Sequence, residues 1–193
     1  MCPLGRSQHT ANNKTFNPHV FSNMQESKYV VISQNPGFNE CMQGTTFVGQ
    51  SGKTFDEALK RHGLSRDMFY ITNTVKCHTD KNRTPKNSEI KACTPILKME
   101  MSYLQPNLVI TLGRIAFNRF CPKEKYSDSL GQIRQSDFLK DIGGPKLNIY
   151  PMFHPSGMNL AIPERKQEFE EDIERLSKLI KHWEKHGFDA SLC

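Results

Sequence analysis

Four short stretches carry side chains whose types can do chemistry: Gln34-Asn35-Pro36-Gly37, Asn73, Gly113-Arg114 and His154-Pro155-Ser156. A carboxamide such as Asn35 or Asn73 offers one acceptor and two donors, enough to read the edge of a planar ligand. The plain reading of Asn73 is a turn former at the end of a strand. An imidazole such as His154 can hydrogen-bond to a group on which negative charge collects during a reaction, although a lone histidine is more often structural. The run Gly49-Gln-Ser-Gly-Lys-Thr54 resembles a phosphate-binding loop, but that motif needs a glycine five positions before Gly52, where this chain has Phe47, and the run does not directly follow a strand. Phe47 reads equally well as a core residue.

These stretches matter because of where the elements place them. Tyr29 to Ser33 is a short, β-branched, uninterrupted apolar run, as expected of a strand buried on both faces of a parallel sheet. Phe69 to Thr72, Asn107 to Leu112 and Leu147 to Phe153 repeat the signal. Between them lie expected helices from Ser51 to His62, from Ser88 to Tyr103 and from Gly113 to Phe120. The first has Thr54 and Glu57 spaced as a capping box, with Gly63 as its stop. A polar insertion follows Phe120, and a last helix runs from Pro163 to Gly187 with Phe169, Ile173, Leu176, Leu179, Ile180 and Trp183 on one stripe. Alternating strands and helices imply an α/β fold, a three-layer αβα sandwich around a mainly parallel four-stranded sheet. Such sheets put ligands beyond the carboxyl ends of their strands, where the four stretches fall.

The chain's 193 residues suit one domain, with residues 1–28 irregular and 188–193 a tail. At 36% hydrophobic residues it has material for a core, and a formal net charge of +6 gives a field that attracts phosphate-rich polymers. No stretch approaches the roughly 18 to 20 apolar residues that span a bilayer, and the first residues lack the apolar core of a signal peptide, so an intracellular monomer without a membrane partner is expected. In a reducing compartment its six cysteines point to metal or cluster ligands or to buried thiols rather than disulfides.

Ser33-Gln-Asn-Pro-Gly37 and His154-Pro-Ser-Gly-Met-Asn159 resemble the two signature motifs of uracil-DNA glycosylases. Between them, in matching order, stand Thr46-Phe47-Val48-Gly49, Gly63-Leu64-Ser65-Arg66, Tyr70 to Cys77, Asn82-Arg83-Thr84-Pro85, Glu89 to Cys93 and Leu112 to Ala116. The order resembles that of the members that carry an iron-sulfur cluster. The resemblance implies DNA containing uracil or a modified pyrimidine as substrate, a base flipped into a pocket, and Phe47 as its stacking aromatic. It further implies Asn73 as reader of the pyrimidine edge, with backbone amides around Gln34 to Phe38 as further donors, and His154 as the group that steadies charge on the departing base. The usual first motif of that group is Gly-Glu-x-Pro-Gly; here a serine replaces the first glycine and Gln34 the acid. Asn35 instead resembles the asparagine of the mismatch-specific branch, which positions the attacking water. Glu40 matches a downstream acid with a lesser part in water activation or pocket shape. Gly37 stands where the most stringent branch has a tyrosine that excludes the thymine methyl, so bases substituted at C5 are admitted.

By the same resemblance Ser156, Gly157, Met158 and Asn159 approach the gap left by the flipped nucleotide, Met158 as an apolar wedge. Lys53, Arg83, Lys86 and Arg114 are candidate phosphate contacts near the strand ends. Cys77 and Cys93 match one pair of ligands of a 4Fe-4S cluster, and Cys2 a third. The fourth is open between a residue before Met1, Cys41, Cys193 and a non-cysteine group; Cys121 reads as a buried thiol. A rival reading is an inactive nucleic-acid-binding scaffold with the same fold, supported by the missing acid in the first motif.

Overall fold

The computed structural model describes residues 9–11, 14–16, 19–23 and 26–189. The chain opens with a hairpin, β1 (His9–Ala11) against β2 (Lys14–Phe16), in a segment the sequence marks as irregular. Strands of three residues are too short to show a period of two. Then follow β3 (Tyr29–Ser33), α1 (Phe38–Gln43), α2 (Gln50–Arg61), β4 (Tyr70–Asn73) and α3 (Asn87–Leu104). The second half holds β5 (Leu108–Leu112), α4 (Arg114–Phe120), β6 (Arg134–Ser136), β7 (Leu147–Met152), α5 (Gly157–Leu160) and α6 (Pro163–His186).

The main sheet has five strands in the order β4-β3-β5-β7-β6, not the four expected. The first four run parallel, and β6 pairs antiparallel with β7 at the edge. The sequence of β6 is Arg-Gln-Ser, which carries no apolar alternation; a short, polar, charged strand is what a protected sheet edge uses.

Alternate residues of the buried strands feed two separate cores, one on each face. Tyr29, Val31, Ile71, Ile110 and Met152 pack with Phe55 and Leu59 of α2 and with Phe169, Ile173, Leu176, Ile180 and Trp183 of α6. Val30, Ile32, Val109 and Ile149 pack with Leu97 and Met101 of α3 and Phe117 and Phe120 of α4. The apolar stripe read from α6 is thus the face that meets the sheet, each large side chain contributing about 1.5–3 kcal/mol by burial.

The strand register decides the site. Ser33 pairs with Asn73, Ile32 with Thr111 and Leu112 with Met152, so the carboxyl ends of β3, β4, β5 and β7 finish level. One expectation about local structure fails. Thr54 and Glu57 form no capping box: α2 begins earlier, at Gln50 after Gly49, and Thr54 Oγ1 donates to the Gln50 carbonyl at 3.1 Å. The backbone N–H groups at this helix start find a distant acceptor, Glu40, whose Oε1 takes those of Val48 and Gly49 at 2.8 and 2.7 Å.

Candidate active site

The loops after β3 and β4 are joined to each other. Thr74 N–H and its hydroxyl donate to the Ser33 carbonyl at 2.9 and 3.0 Å, and Val75 N–H donates to the Gln34 carbonyl at 3.0 Å. That pairing fixes the direction in which Asn35 leaves the sheet. Its Nδ2 donates to the Pro36 carbonyl at 3.0 Å and to Thr79 Oγ1 at 3.3 Å, while its Oδ1 accepts from Gln34 Nε2 at 2.9 Å. Asn73, at the end of β4, is 3% exposed, and its backbone carbonyl accepts from the buried Lys76 ammonium at 2.8 Å. Among the described residues no protein group hydrogen-bonds the Asn73 carboxamide.

Phe47 sits in the loop before α2 with φ of 59°, a left-handed conformation that costs a bulky residue on the order of 1–3 kcal/mol. Several contacts hold it there. Arg66 donates to the Phe47 carbonyl at 2.9 Å and to that of Thr46, and is itself paired with Asp56 at 3.1 Å. Glu40 binds the two following N–H groups, and Gly52 leaves room for the Phe47 carbonyl, which any side chain at that position would strike. Gly37 has a similar reason: a Cβ there would lie 2.6 Å from Glu40 Oε2. The acid matched at Glu40 is therefore a loop anchor, 8% exposed, set between Gly37 and the Phe47 loop.

His154 follows β7 and faces the same place. Its ring lies edge-on to Phe47, with centroids 6.0 Å apart at 89°, and its Nε2 is 3.1 Å from Ser33 Oγ. Burial pulls the imidazole down to about 4 against the opposing pull of the Glu40 charge, so the ring is neutral at physiological pH. The turn is held through the His154 carbonyl, which accepts from Ser156 N–H at 2.8 Å and from Asn159 Nδ2 at 3.0 Å. Ser156 caps the short α5, which begins at Gly157, and Met158 stands out from it, 87% exposed.

The structure thus brings Asn35, Asn73, Phe47, Glu40 and His154 to one end of the sheet, with Gln34 and Gly37 between them. Of the other candidates, some are exposed to solvent and others are already engaged within the protein. Lys53 on α2, Lys86 before α3 and Arg114 at the start of α4 are exposed. Arg83 is tied to Glu89 by two bonds of 2.9 and 2.6 Å, so its charge is largely met within the protein. Asn159 supports the turn below His154. The phosphate-loop-like Lys53 and Thr54 lie within α2 rather than in a loop after a strand. A groove of about 770 Å³ on α3, lined by Lys91, Pro95, Met99, Tyr103 and Ile142 among others, contains none of these residues.

Cys77 and Cys93 are each 3% exposed and share one small apolar cluster with Val75 and Ile90, and Cys77 Sγ lies 3.1 Å from His19 Nδ1. Cys2 lies outside the described residues. Among the described residues no three histidine, cysteine or acidic side chains are grouped to hold a metal ion. Cys41 and Cys121 are buried, and their thiols are raised to about 11 and about 12 chiefly by that burial.

Sequence reasoning missed Ser33, Thr79 and Arg66 as supports of this site. Ser33 had a visible signal, standing where the resembling motif opens with glycine; the long-range contacts of Thr79 and Arg66 have none. Residues 19–177 match the model of the uracil DNA glycosylase superfamily. A type-4 uracil-DNA glycosylase of Saccharolobus solfataricus is 33% identical over 157 residues, covering 80% of this chain and 72% of its own. A type-4 uracil-DNA glycosylase of Thermotoga maritima is 32% identical over 160 residues, covering 81% of this chain and 79% of its own. With this fold, these strand-end residues and these relatives, the chain belongs to the uracil DNA glycosylase superfamily.

Proposed function

We propose that this chain hydrolyses the N-glycosidic bond of uracil, or of a uracil substituted at C5, in DNA, and so starts base excision repair. The observation that carries the reading is the meeting of the Phe47 ring and the neutral His154 imidazole at the strand ends, beside Asn73. Cleavage leaves oxocarbenium character on the sugar and negative charge on the base, so the site must grip the base, donate to its oxygen and supply water. Phe47 offers a ring for stacking, and Asn73 a carboxamide with donors and acceptor for the pyrimidine edge. A neutral imidazole donates its N–H to the developing anion without first taking up a proton. Asn35, held by Thr79 and Gln34, retains acceptor capacity on Oδ1 to orient a water rather than deprotonate it. No side chain rises from Gly37 against the C5 position, which supports the wider substrate range.

Cys77 and Cys93 suit two places of a four-thiolate site: they are buried together in one small apolar cluster, one in the loop after β4 and one on α3. We assign them, with Cys2, to a 4Fe-4S cluster whose contribution is structural, tying the loop after β4 to α3. The test is base release from oligonucleotides bearing uracil, hydroxymethyluracil, thymine or hypoxanthine, single-stranded and in mispairs, by wild type beside Asn35→Ala and His154→Ala. Release from uracil, lost in both variants, is expected. Binding without release from any of them sinks the reading and leaves the inactive scaffold.

A further inference from the structure

The turn after β4, from His78 to Arg83, runs against the first motif and meets it in three places. His78 Nδ1 lies 3.0 Å from the Pro36 carbonyl, Thr79 Oγ1 lies 3.3 Å from Asn35 Nδ2, and Asn82 Oδ1 lies 3.9 Å from where a Cβ on Gly37 would stand. His78 and Thr79 are both buried. Lys81 and Asn82 take φ of 54° and 55°, left-handed values that cost a non-glycine residue on the order of 1–3 kcal/mol and persist only where surrounding contacts impose them. Those contacts are Asn82 N–H to the Thr79 carbonyl at 3.0 Å, Arg83 N–H to the Asp80 carbonyl at 3.1 Å, and the two bonds from the Arg83 guanidinium to Glu89.

Each hydrogen in this arrangement has one direction. A carbonyl oxygen only accepts, so His78 Nδ1 is the donor to Pro36. The Thr79 hydroxyl gives its one hydrogen to the Arg83 carbonyl at 2.5 Å, so its oxygen accepts from Asn35 Nδ2. Asn35 Nδ2 thus directs one hydrogen to Thr79 and the other to the Pro36 carbonyl, whose second lone pair His78 takes. Turning the amide over would set Oδ1 against the Pro36 carbonyl, which has no hydrogen to give. Gln34 Nε2 occupies one lone pair of Asn35 Oδ1. Among the described residues the other lone pair of Oδ1 is the only hydrogen-bonding position this half-buried side chain has left. We infer that His78 and Thr79 are positioning residues, which fix the Asn35 carboxamide with both amide hydrogens held by the protein and one oxygen lone pair left for the attacking water. Their role rests on the glycosylase reading; the hydrogen-bond frame does not. An amide oxygen orients a water without deprotonating it, so the rate depends on where that oxygen points.

The experiment records the side-chain amide ¹⁵N–¹H signals of Asn35 in the full chain, assigned by their loss in Asn35→Ala. Beside them it measures single-turnover base release from uracil-bearing DNA for wild type, Thr79→Val, Thr79→Ser and His78→Phe, at matched iron content. Wild type is expected to show both Asn35 amide hydrogens bonded and slow to exchange. Thr79→Val, which keeps the shape without the hydroxyl, should free one of them and slow release about tenfold, the size of one lost hydrogen bond, with the half-saturating DNA concentration changed less than about twofold. Thr79→Ser should restore both signals and rate. His78→Phe, a ring without the N–H, should slow release with the same small change in DNA affinity. Wild-type signals and rate in Thr79→Val or in His78→Phe overturn the inference. So does weaker DNA binding without slower release, or a loss in Thr79→Val that Thr79→Ser does not restore. If wild type releases no base at all, the glycosylase reading fails by itself and the amide signals still judge the frame around Asn35.

Discussion

Glu40 is a buried carboxylate whose charge is met by backbone, Oε1 accepting the N–H groups of Val48 and Gly49 at 2.8 and 2.7 Å. Hydrogen bonds to a charged group are worth more than neutral ones, and removing it leaves two donors stranded at the start of α2. Glu40→Ala should lower stability by about 3 kcal/mol in urea unfolding. It should also raise KM more than it lowers kcat, because it frees the loop that presents Phe47. His154 gives a second prediction at this scale. Its value in the folded chain lies at about 4, below the usual 6.5, because burial disfavours the charged ring more than Glu40 favours it. The neutral form that donates to the base is then kept through the whole range above, and lost as pH falls through about 4. Single-turnover base release should therefore show no acid limb near pH 6.5; an acid limb there would assign the ring a solvated environment. The depressed value also means that this group's contribution to stability is complete above about 6.5 and declines as pH falls toward 4.

The elements were legible where a period or a stop signal ran long enough. The stripe of α6, its Pro163 start and Gly187 stop, and the four parallel strands all stand in the structure within a residue or two of where the sequence puts them. What failed was local and short. The three residues of β6 show no pattern, and α1 is a six-residue helix between two glycines. The Thr54–Glu57 spacing looked like a cap, but an acceptor from a different helix took the N–H groups instead. The turn from β5 into α4 shows how an element sets the site. Gly113 adopts φ of 89°, which L side chains rarely do, and lies against His154. Gly113→Ala should reduce base release by about tenfold or more and also lower the melting temperature, since both backbone strain and a displaced imidazole follow. Calorimetry beside the kinetic assay checks both; unchanged kinetics would separate His154 from the end of β5.

Across the whole molecule, two features tie distant parts of the chain together. Lys76, 1% exposed, bonds Thr72 Oγ1, the Asn73 carbonyl and Glu100, at 2.6, 2.8 and 2.5 Å, joining the end of β4 to α3. Cys77 and Cys93 lie beside it, one in the loop and one on the helix. Anaerobically purified protein should contain about four irons per chain and absorb in the visible, and Cys77→Ser or Cys93→Ser should lose that absorbance along with thermal stability. Iron-free wild type with full activity would remove the cluster from the account. Among the described residues no helix is long and apolar enough to cross a membrane. From the sequence alone came the layered α/β plan, because apolar periodicity and strand–helix alternation are local properties of the chain, and the ordered motifs that named Asn35, Phe47, Asn73 and His154. Only the tertiary structure decided that Glu40 anchors the Phe47 loop, that Arg83 is met by Glu89 and that Ser33 holds His154. Those are contacts between side chains and partners brought together by folding. Partner choice of that kind depends on strand register and on the space left by Gly37, Gly52 and Gly113, which no spacing along the chain encodes.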